Sequence, residues 1–513
     1  MKRKQAMKRK HWLDEAEDMA QYPAGPRDLE ELYRFHFDDL ESLRPDEKQC
    51  LIDNMLRTIG VSTSYSGAKT FEAVCEFLEY ALAIHRPDVR ESLLQSGFQM
   101  LGSCDCDPVA IKVAQNWESQ VKPNAKSHHY GNILSGMTPE AASKVDDVMK
   151  KVKDRDIDPS GSMASLRAFE AEMKANAEDY FAVDCLAECK SCDPSGSCKC
   201  PINEYHAMNL NKCTLGMVVE TVGNTCVAFS PSGNREGYLH ESTVVLIVWA
   251  ARTRVRRPEL IITECHSSFD TKVWEFWFGD LYEIHRVVCE PVTIGYPAYR
   301  PRVFHWLVRL DWNFEGTSDD FLRRSRRSVE VDGDAIMIAP NKEVIEEINR
   351  LGKYRGFNKI KTLQEARTIG WPRLYSSAAA SAYLEFSEVS AERENFRKSF
   401  FANLENRLGY GPEAEQGRIP TQVTHGTLHS WGLDRPAVKN EWFAIQGWPI
   451  YPDMEKISGL KVQFSSMIPK MTATQVKRLM GNHIHLPLLF KQLVYILSRL
   501  RPSLPFEDDN GIF

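Results

Sequence analysis

From Leu51 onward the apolar positions fall into two alternating rhythms. Arg57–Tyr65 reads as a strand, with Gly67 closing a turn behind it. Phe71 to His85 carries Phe71, Val74, Cys75, Leu78, Ala81 and Leu82 at helical spacing. Phe98–Cys104 reads as the next strand. Pro108 suits the first turn of a following helix, where its missing N–H costs nothing. Strand, helix, strand, helix predicts an α/β protein with a parallel sheet. The rhythm breaks across residues 136–213, which hold a charged helical stretch (Pro139–Lys153), a linker (Asp156–Ser162) and a cysteine cluster. It resumes with Met217–Val222 and Leu260–Ile262; the apolar run Thr243–Ala251 suits a buried strand or helix. Residues 313–430 are irregular, with Arg323-Arg324-Ser325-Arg326-Arg327 and scattered aromatics, and predict a smaller second domain. From Trp431 a core-like pattern returns and ends in a helix, Leu486–Leu500. The expected organisation is therefore a charged arm (1–48), a core (49–312, with the insertion 136–213), a second domain (313–430), the rest of the core (431–502) and a tail (503–513).

Composition narrows this picture. The chain has 513 residues, 43% of them hydrophobic, enough for a sizeable core. A net charge of −6 excludes a polybasic chain, so any nucleic-acid surface must be a local patch. No apolar run reaches the roughly 18–20 residues of a membrane span, and no secretory signal is expected at the start. The basic runs Lys2-Arg3-Lys4 and Lys8-Arg9-Lys10 read as a solvated tail or as a nuclear address. Thirteen cysteines then imply thiols, metal ligands or catalytic groups in a reducing compartment.

Candidate chemistry gathers around one of these cysteines. Cys226 sits in Val222-Gly223-Asn224-Thr225-Cys226-Val227-Ala228-Phe229-Ser230, on a turn after a strand. Leu260-Ile261-Ile262-Thr263-Glu264 is a strong apolar strand that delivers Glu264 at its C-terminal end, the edge where open α/β sheets bind ligands. Gly295-Tyr296-Pro297-Ala298-Tyr299-Arg300-Pro301-Arg302 presents two arginines at alternate positions. A lone cysteine is usually a small buried hydrophobe, a strand-end glutamate usually solvated and an Arg-x-Arg usually a surface pair. Order and spacing make the set specific.

In that order the chain resembles the cytosine-5 DNA methyltransferase family. Tyr65-Ser66-Gly67-Ala68-Lys69-Thr70 is similar to its Phe-x-Gly-x-Gly-Gly turn, with Lys69 and Thr70 in place of two glycines. Asp105-Cys106 is similar to its acidic strand end and Gly131-Asn132-Ile133 to its Gly-Asp-Ile. Gly223 to Ser230 is similar to Gly-x-Pro-Cys-x-x-Phe-Ser, with Thr225 for proline. Glu264 is similar to the glutamate of Glu-Asn-Val, and Arg300 and Arg302 to the arginines of Gln-x-Arg-x-Arg. Arg435 and Glu441, then Gln446-Gly447-Trp448-Pro449, and Gly481-Asn482 complete the series.

The resemblance implies a Rossmann-like S-adenosylmethionine-dependent methyltransferase domain with a Cys-rich insertion and a smaller target-recognition domain. Cofactor contacts would come from Tyr65, Ser66, Gly67, Asp105, Cys106, Asn132, Ile133, Gly481 and Asn482. Cys226 would be the nucleophile toward cytosine C6, Glu264 a buried, protonated donor toward N3, and Arg300 and Arg302 the cationic surroundings. DNA is the implied partner; RNA is an alternative substrate, and an inactive nucleic-acid-binding protein an alternative of another class. In the insertion, Cys185, Cys189, Cys192, Cys198 and Cys200 could bind structural zinc or stand as free thiols.

Overall fold

The computed structural model describes residues 22–65, 67–120, 128–154, 158–182, 186–189, 199–201, 216–223, 237–391, 400–406, 417–424 and 426–503. Contacts divide the chain into two compact units. One comprises Asp39–Val288, Arg302–Phe321 and Leu489–Phe513; the other comprises Met1–Asp38, Cys289–Pro301 and Leu322–Leu488.

The first unit is built on a seven-stranded sheet. Its strands are β1 (Ile59–Ser64), β2 (Phe98–Cys104), β3 (His128–Tyr130), β4 (Met217–Gly223), β5 (Leu260–His266), β6 (Tyr282–Cys289) and β7 (Arg302–Arg309). They lie in the order β3-β2-β1-β4-β5-β7-β6. β1 to β5 run parallel, and β7 runs antiparallel to β5. This is the expected Rossmann-like α/β sheet, with its order reversing at β1 and β4. Parallel strands covered on both faces should be continuously apolar, and β1, β4 and β5 are buried along almost their whole length. They still hold buried polar residues, Ser62, Thr63, Ser64, Thr221, Thr263 and Glu264 among them, and Glu220 in β4 is a buried charge. Its buried carboxylate accepts from Ser64 Oγ (2.8 Å) and Trp249 Nε1 (3.1 Å), with Arg256 3.7 Å away. Buried charge needs such partners.

Helices α1 (Thr70–His85), α2 (Pro108–Gln120) and α5 (Glu241–Arg256) connect the strands. The run Thr243–Ala251 is thus helical, and its Val244, Ile247 and Trp249 lie with Trp274, Trp277 and Phe278 in one core cluster. In the insertion, α3 (Pro139–Lys153) matches the charged helical stretch. The expected linker is shorter than predicted, because α4 (Pro159–Ala175) begins inside it. Asp158 caps α4 by accepting from the Gly161 amide (2.9 Å), and Pro159 stands at its first position. A ribbon of Leu186–Glu188 and Lys199–Pro201 follows.

The second unit has its own core, including Val344, Ile348, Trp371, Leu374, Tyr375, Phe386, Phe400 and Val438. Its elements include α6 (Asn341–Gly352), α7 (Ala473–Gly481) and a ribbon of Phe401–Asn403, Leu428–Ser430 and Arg435–Pro436. Leu32, Tyr33 and His36 are buried, so the chain is packed well before residue 48, and Tyr33 Oη donates to the Ala444 carbonyl (3.0 Å). Helix α8 (Leu486–Leu497) stops three residues short of the predicted end, and Leu500–Pro502 pairs with Trp312–Phe314 instead.

Candidate active site

The loop after β1 has an unusual backbone. Tyr65, Gly67 and Lys69 all have positive φ, at 54°, 52° and 63°. For the two non-glycine residues this conformation costs roughly 1–2 kcal/mol each. A Cβ placed on Gly67 would meet nothing within 4 Å, so the space over this residue is open. The Gly67 amide donates to Asp105 Oδ2 at 2.8 Å, and the Asp107 amide to Asp105 Oδ1 at 2.9 Å. The acidic residue that ends β2 is thereby fixed against the glycine turn that ends β1. Both carboxylate oxygens thus accept main-chain N–H groups.

Lys69 explains why this loop tolerates lysine at a left-handed position. It is 1% exposed, and its ammonium turns down into the sheet. There it lies 3.0 Å from Glu72 Oε1 and 2.7 Å from Ser103 Oγ. Thr63 Oγ1 donates to Glu72 (2.8 Å), and Ser103 Oγ meets His129 Nδ1 (2.7 Å). Burial, with the Lys69 charge, pushes His129 down to about 3. Residues of β1, β2, β3 and α1 are tied together beneath the loop. Sequence reasoning treated Lys69 only as a missing glycine. The available signal was the Lys69/Glu72 spacing, which places both groups on one helix face.

The other cofactor candidates lie nearby in sequence order along the same sheet edge. Cys106 is exposed, whereas burial pushes the Cys104 thiol up to about 12. Burial likewise raises the Tyr65 phenol, with Cys104 adding to the effect. After β3, exposed Asn132 accepts the Leu134 amide through Oδ1 (2.9 Å), and Ile133 is buried with its carbonyl 3.4 Å from Arg252 Nη1. Glycine turn, acidic strand end, buried Ile133 and open space over Gly67 together fit an adenosyl cofactor.

At the end of β5, Glu264 and Arg302 are both buried and form an ion pair, Oε1 to Nε at 2.7 Å. Glu264 is buried, and the Arg302 guanidinium lies against its carboxylate. Strand register sets this up: His266 pairs with Arg302 across β5 and β7. Burial, with Arg302 beside it, lowers His266. On the other side of β5, Gly223 pairs with Glu264. The chain therefore leaves β4 toward Cys226 from a point beside Glu264. Cys226 and Ser66 lie outside the described residues.

The remaining candidates belong to the second unit. Buried Arg300 donates to the carbonyls of Gln422 (3.4 Å), Gly481 (3.0 Å) and His483. The structure thus brings Arg300 and Gly481 together, with the guanidinium engaged by main-chain oxygens. A Cβ on Gly481 would lie 2.5 Å from the Thr424 backbone nitrogen, so glycine is required there by close packing; Asn482 is exposed. Arg435 and Glu441, singled out by their spacing, form a buried two-pronged ion pair at 2.6 and 2.9 Å. Glu441 also accepts from the Ala339 and Val438 amides (3.0 and 2.9 Å).

Of the five clustered cysteines, Cys185, Cys192 and Cys198 lie outside the described residues. Cys189 is buried, with Sγ 3.6 Å from His128 Nδ1, and bridges to Tyr130 at the sheet edge. Cys200 stands opposite Ala187 in the short ribbon. Among the described residues no group of three or more candidate metal ligands occurs. No described helix is long and apolar enough to cross a membrane.

No protein-family model matches the chain, and no curated protein does. Similar solved structures include the S. pombe Dnmt2 methyltransferase (12% identity, 86% of this chain, 98% of that chain, TM-score 0.39). A putative DNA modification methyltransferase from an E. coli prophage matches at 11% identity, with 86% and 98% covered and TM-score 0.37. The Entamoeba histolytica methyltransferase EhMeth matches at 12%, with 86% and 98% covered and TM-score 0.38. At these TM-scores the likenesses carry no weight for this chain; its fold and site stand on strand order and side chains.

Proposed function

We propose that this chain is an S-adenosylmethionine-dependent cytosine-5 methyltransferase acting on nucleic acid, with DNA as the substrate. The observation that carries the reading is the β4–β5 register: Gly223 lies beside Glu264, which is itself paired with Arg302. That arrangement supports an acid-bearing strand end next to the origin of the cysteine loop. The Asp105–Gly67 contact supports the cofactor side.

The chemistry follows from the residues. The Cys226 thiolate adds to C6 of cytosine, its electron pair forming the S–C bond and raising electron density at C5. Negative charge develops at N3, and Glu264, carrying a proton, donates it there while the Arg302 guanidinium lies beside the pair. When bound, S-adenosylmethionine supplies the sulfonium methyl group that C5 takes up. A base then removes the C5 proton, and the returning electron pair expels the Cys226 thiolate. The target base must leave the stack, at a cost of about a few kcal/mol.

Trapping tests the reading. Oligonucleotides carrying 5-fluorocytosine have no C5 proton to lose, so with cofactor present the wild-type chain should form a covalent adduct and Cys226→Ser should not. Run with DNA and RNA, the same trap identifies the polymer. Absence of an adduct with either polymer, despite cofactor binding by calorimetry, would refute the Cys226 assignment. For the insertion, structural zinc on the cysteine cluster rests on cysteine spacing alone. Metal analysis finding less than about half an equivalent would remove it.

A further inference from the structure

In the second unit, α6 ends in the turn Gly352-Lys353-Tyr354-Arg355-Gly356, and Tyr354 is 94% exposed. A single exposed aromatic residue is ordinary. The turn that presents this one is not loosely built. The Gly356 amide donates to the Lys353 carbonyl (3.2 Å) and the Phe357 amide to the Gly352 carbonyl (3.0 Å). Gly356 has φ 83°, and a Cβ on Gly352 would fall 2.5 Å from the Phe357 oxygen, so both glycines are needed to close it. Arg355 anchors the turn by donating to the Tyr375 carbonyl (3.2 Å) and Ser377 Oγ (2.8 Å). Asn349 clasps the far end through paired bonds to Ile360, donating to its carbonyl and accepting from its amide, both at 2.8 Å. The tyrosine ring is thus held away from the protein by a braced support.

Its surroundings are cationic. Lys353, Arg355, Lys359 and Lys361 are exposed, and no acidic residue occurs between Gly352 and Lys361. An exposed aromatic ring on a segment that also carries exposed ammonium groups suits a strand that offers an unstacked base and a phosphate backbone. We propose that this turn is a nucleic-acid contact in which Tyr354 stacks on an unpaired base while Lys353, Lys359 and Lys361 meet phosphates. The proposal rests on reading the chain as an enzyme of nucleic acid, and names the element that grips the strand.

Fluorescence anisotropy with labelled single-stranded DNA, duplex DNA and RNA tests it on the full chain. Tyr354→Ala should weaken single-strand binding roughly thirtyfold, the middle of the range for loss of one stacked base. Tyr354→Trp should retain affinity. Replacing Lys353, Lys359 and Lys361 together by glutamine should lower the slope of log affinity against log salt by about 2, at about 0.7 per phosphate contact on a single strand. Because Tyr354 is exposed, an unchanged circular dichroism spectrum should accompany the change in affinity. If wild-type protein binds these probes and Tyr354→Ala binds within twofold of it, this proposal is overturned and the methyltransferase reading stands. If wild-type protein binds none of them, both fall.

Discussion

Replacing Lys69 by methionine retains most of the length of the side chain and removes its ammonium. The left-handed backbone at residue 69 stays as strained as before, so the change isolates the charge. Glu72 then loses a cation 3.0 Å from Oε1, while Oε2 already lacks a hydrogen-bond partner among the described residues. Both groups are almost completely buried, and Ser103 loses its donor at 2.7 Å. Breaking a buried pair from one side costs about 3–5 kcal/mol, chiefly because the other charge is stranded. Lys69→Met should therefore destabilise the sheet unit by about that amount. Lys69→Met with Glu72→Gln should recover at least about half of the loss, because no uncompensated charge remains. Hydrogen exchange of peptides spanning residues 59–85, compared with peptides of the second unit, localises the effect; denaturant titration gives its size. An effect on Lys69→Met below about 0.5 kcal/mol, or a double variant no better than the single one, would refute the reasoning.

Three further outcomes are expected. Arg435→Met should destabilise the second unit by about 3–5 kcal/mol by stranding Glu441, and should leave the sheet unit's exchange no faster; uniform loss of protection in both units would contradict this. Acidity should weaken the sheet unit because His129 and His305 are each pushed from 6.5 to about 3 by burial, helped by Lys69 and Arg286 respectively. The unfolded chain takes up those protons below about 6.5 and the folded chain does not, so stability falls as pH drops from about 6.5 toward 3. Glu79 acts oppositely. Burial raises it to about 7, so its contribution is complete below about 4.5 and is lost as pH rises through 7. Glu79→Gln should flatten the decline in unfolding midpoint between pH 5 and pH 8; an unchanged profile would show that Glu79 is not protonated in the fold.

Much of this architecture is decided locally. The apolar runs Met217–Val222 and Leu260–Ile262 become β4 and β5 because continuous aliphatic strands need cover on both faces. Phe71–His85 has a helical apolar face, and α1 covers it almost residue for residue. The acidic end of β2 and the glycine turn after β1 were recognisable because strand ends and turns limit which residues fit there. Arg435 and Glu441 stood out only by a family-like spacing; that they pair is decided by the fold. Other features depend on distant segments. Thr243–Ala251 was ambiguous because periodicity cannot separate a buried strand from a short buried helix; packing among Trp249, Trp274 and Phe278 decides it.

Sequence by itself determined the alternating strands and helices, the identity of the candidate groups and their order along the chain. Only the tertiary structure decided which of them meet. It set Gly67 against Asp105, Glu264 between Gly223 and Arg302, and Arg300 against the Gly481 carbonyl. It also turned Lys69 from a missing glycine into a buried tie among three strands and a helix. The physical reason is the same in each case. Strand register and the burial of charge are properties of segments far apart in the chain, and neither is encoded within the local window that fixes a turn, a cap or an amphipathic face.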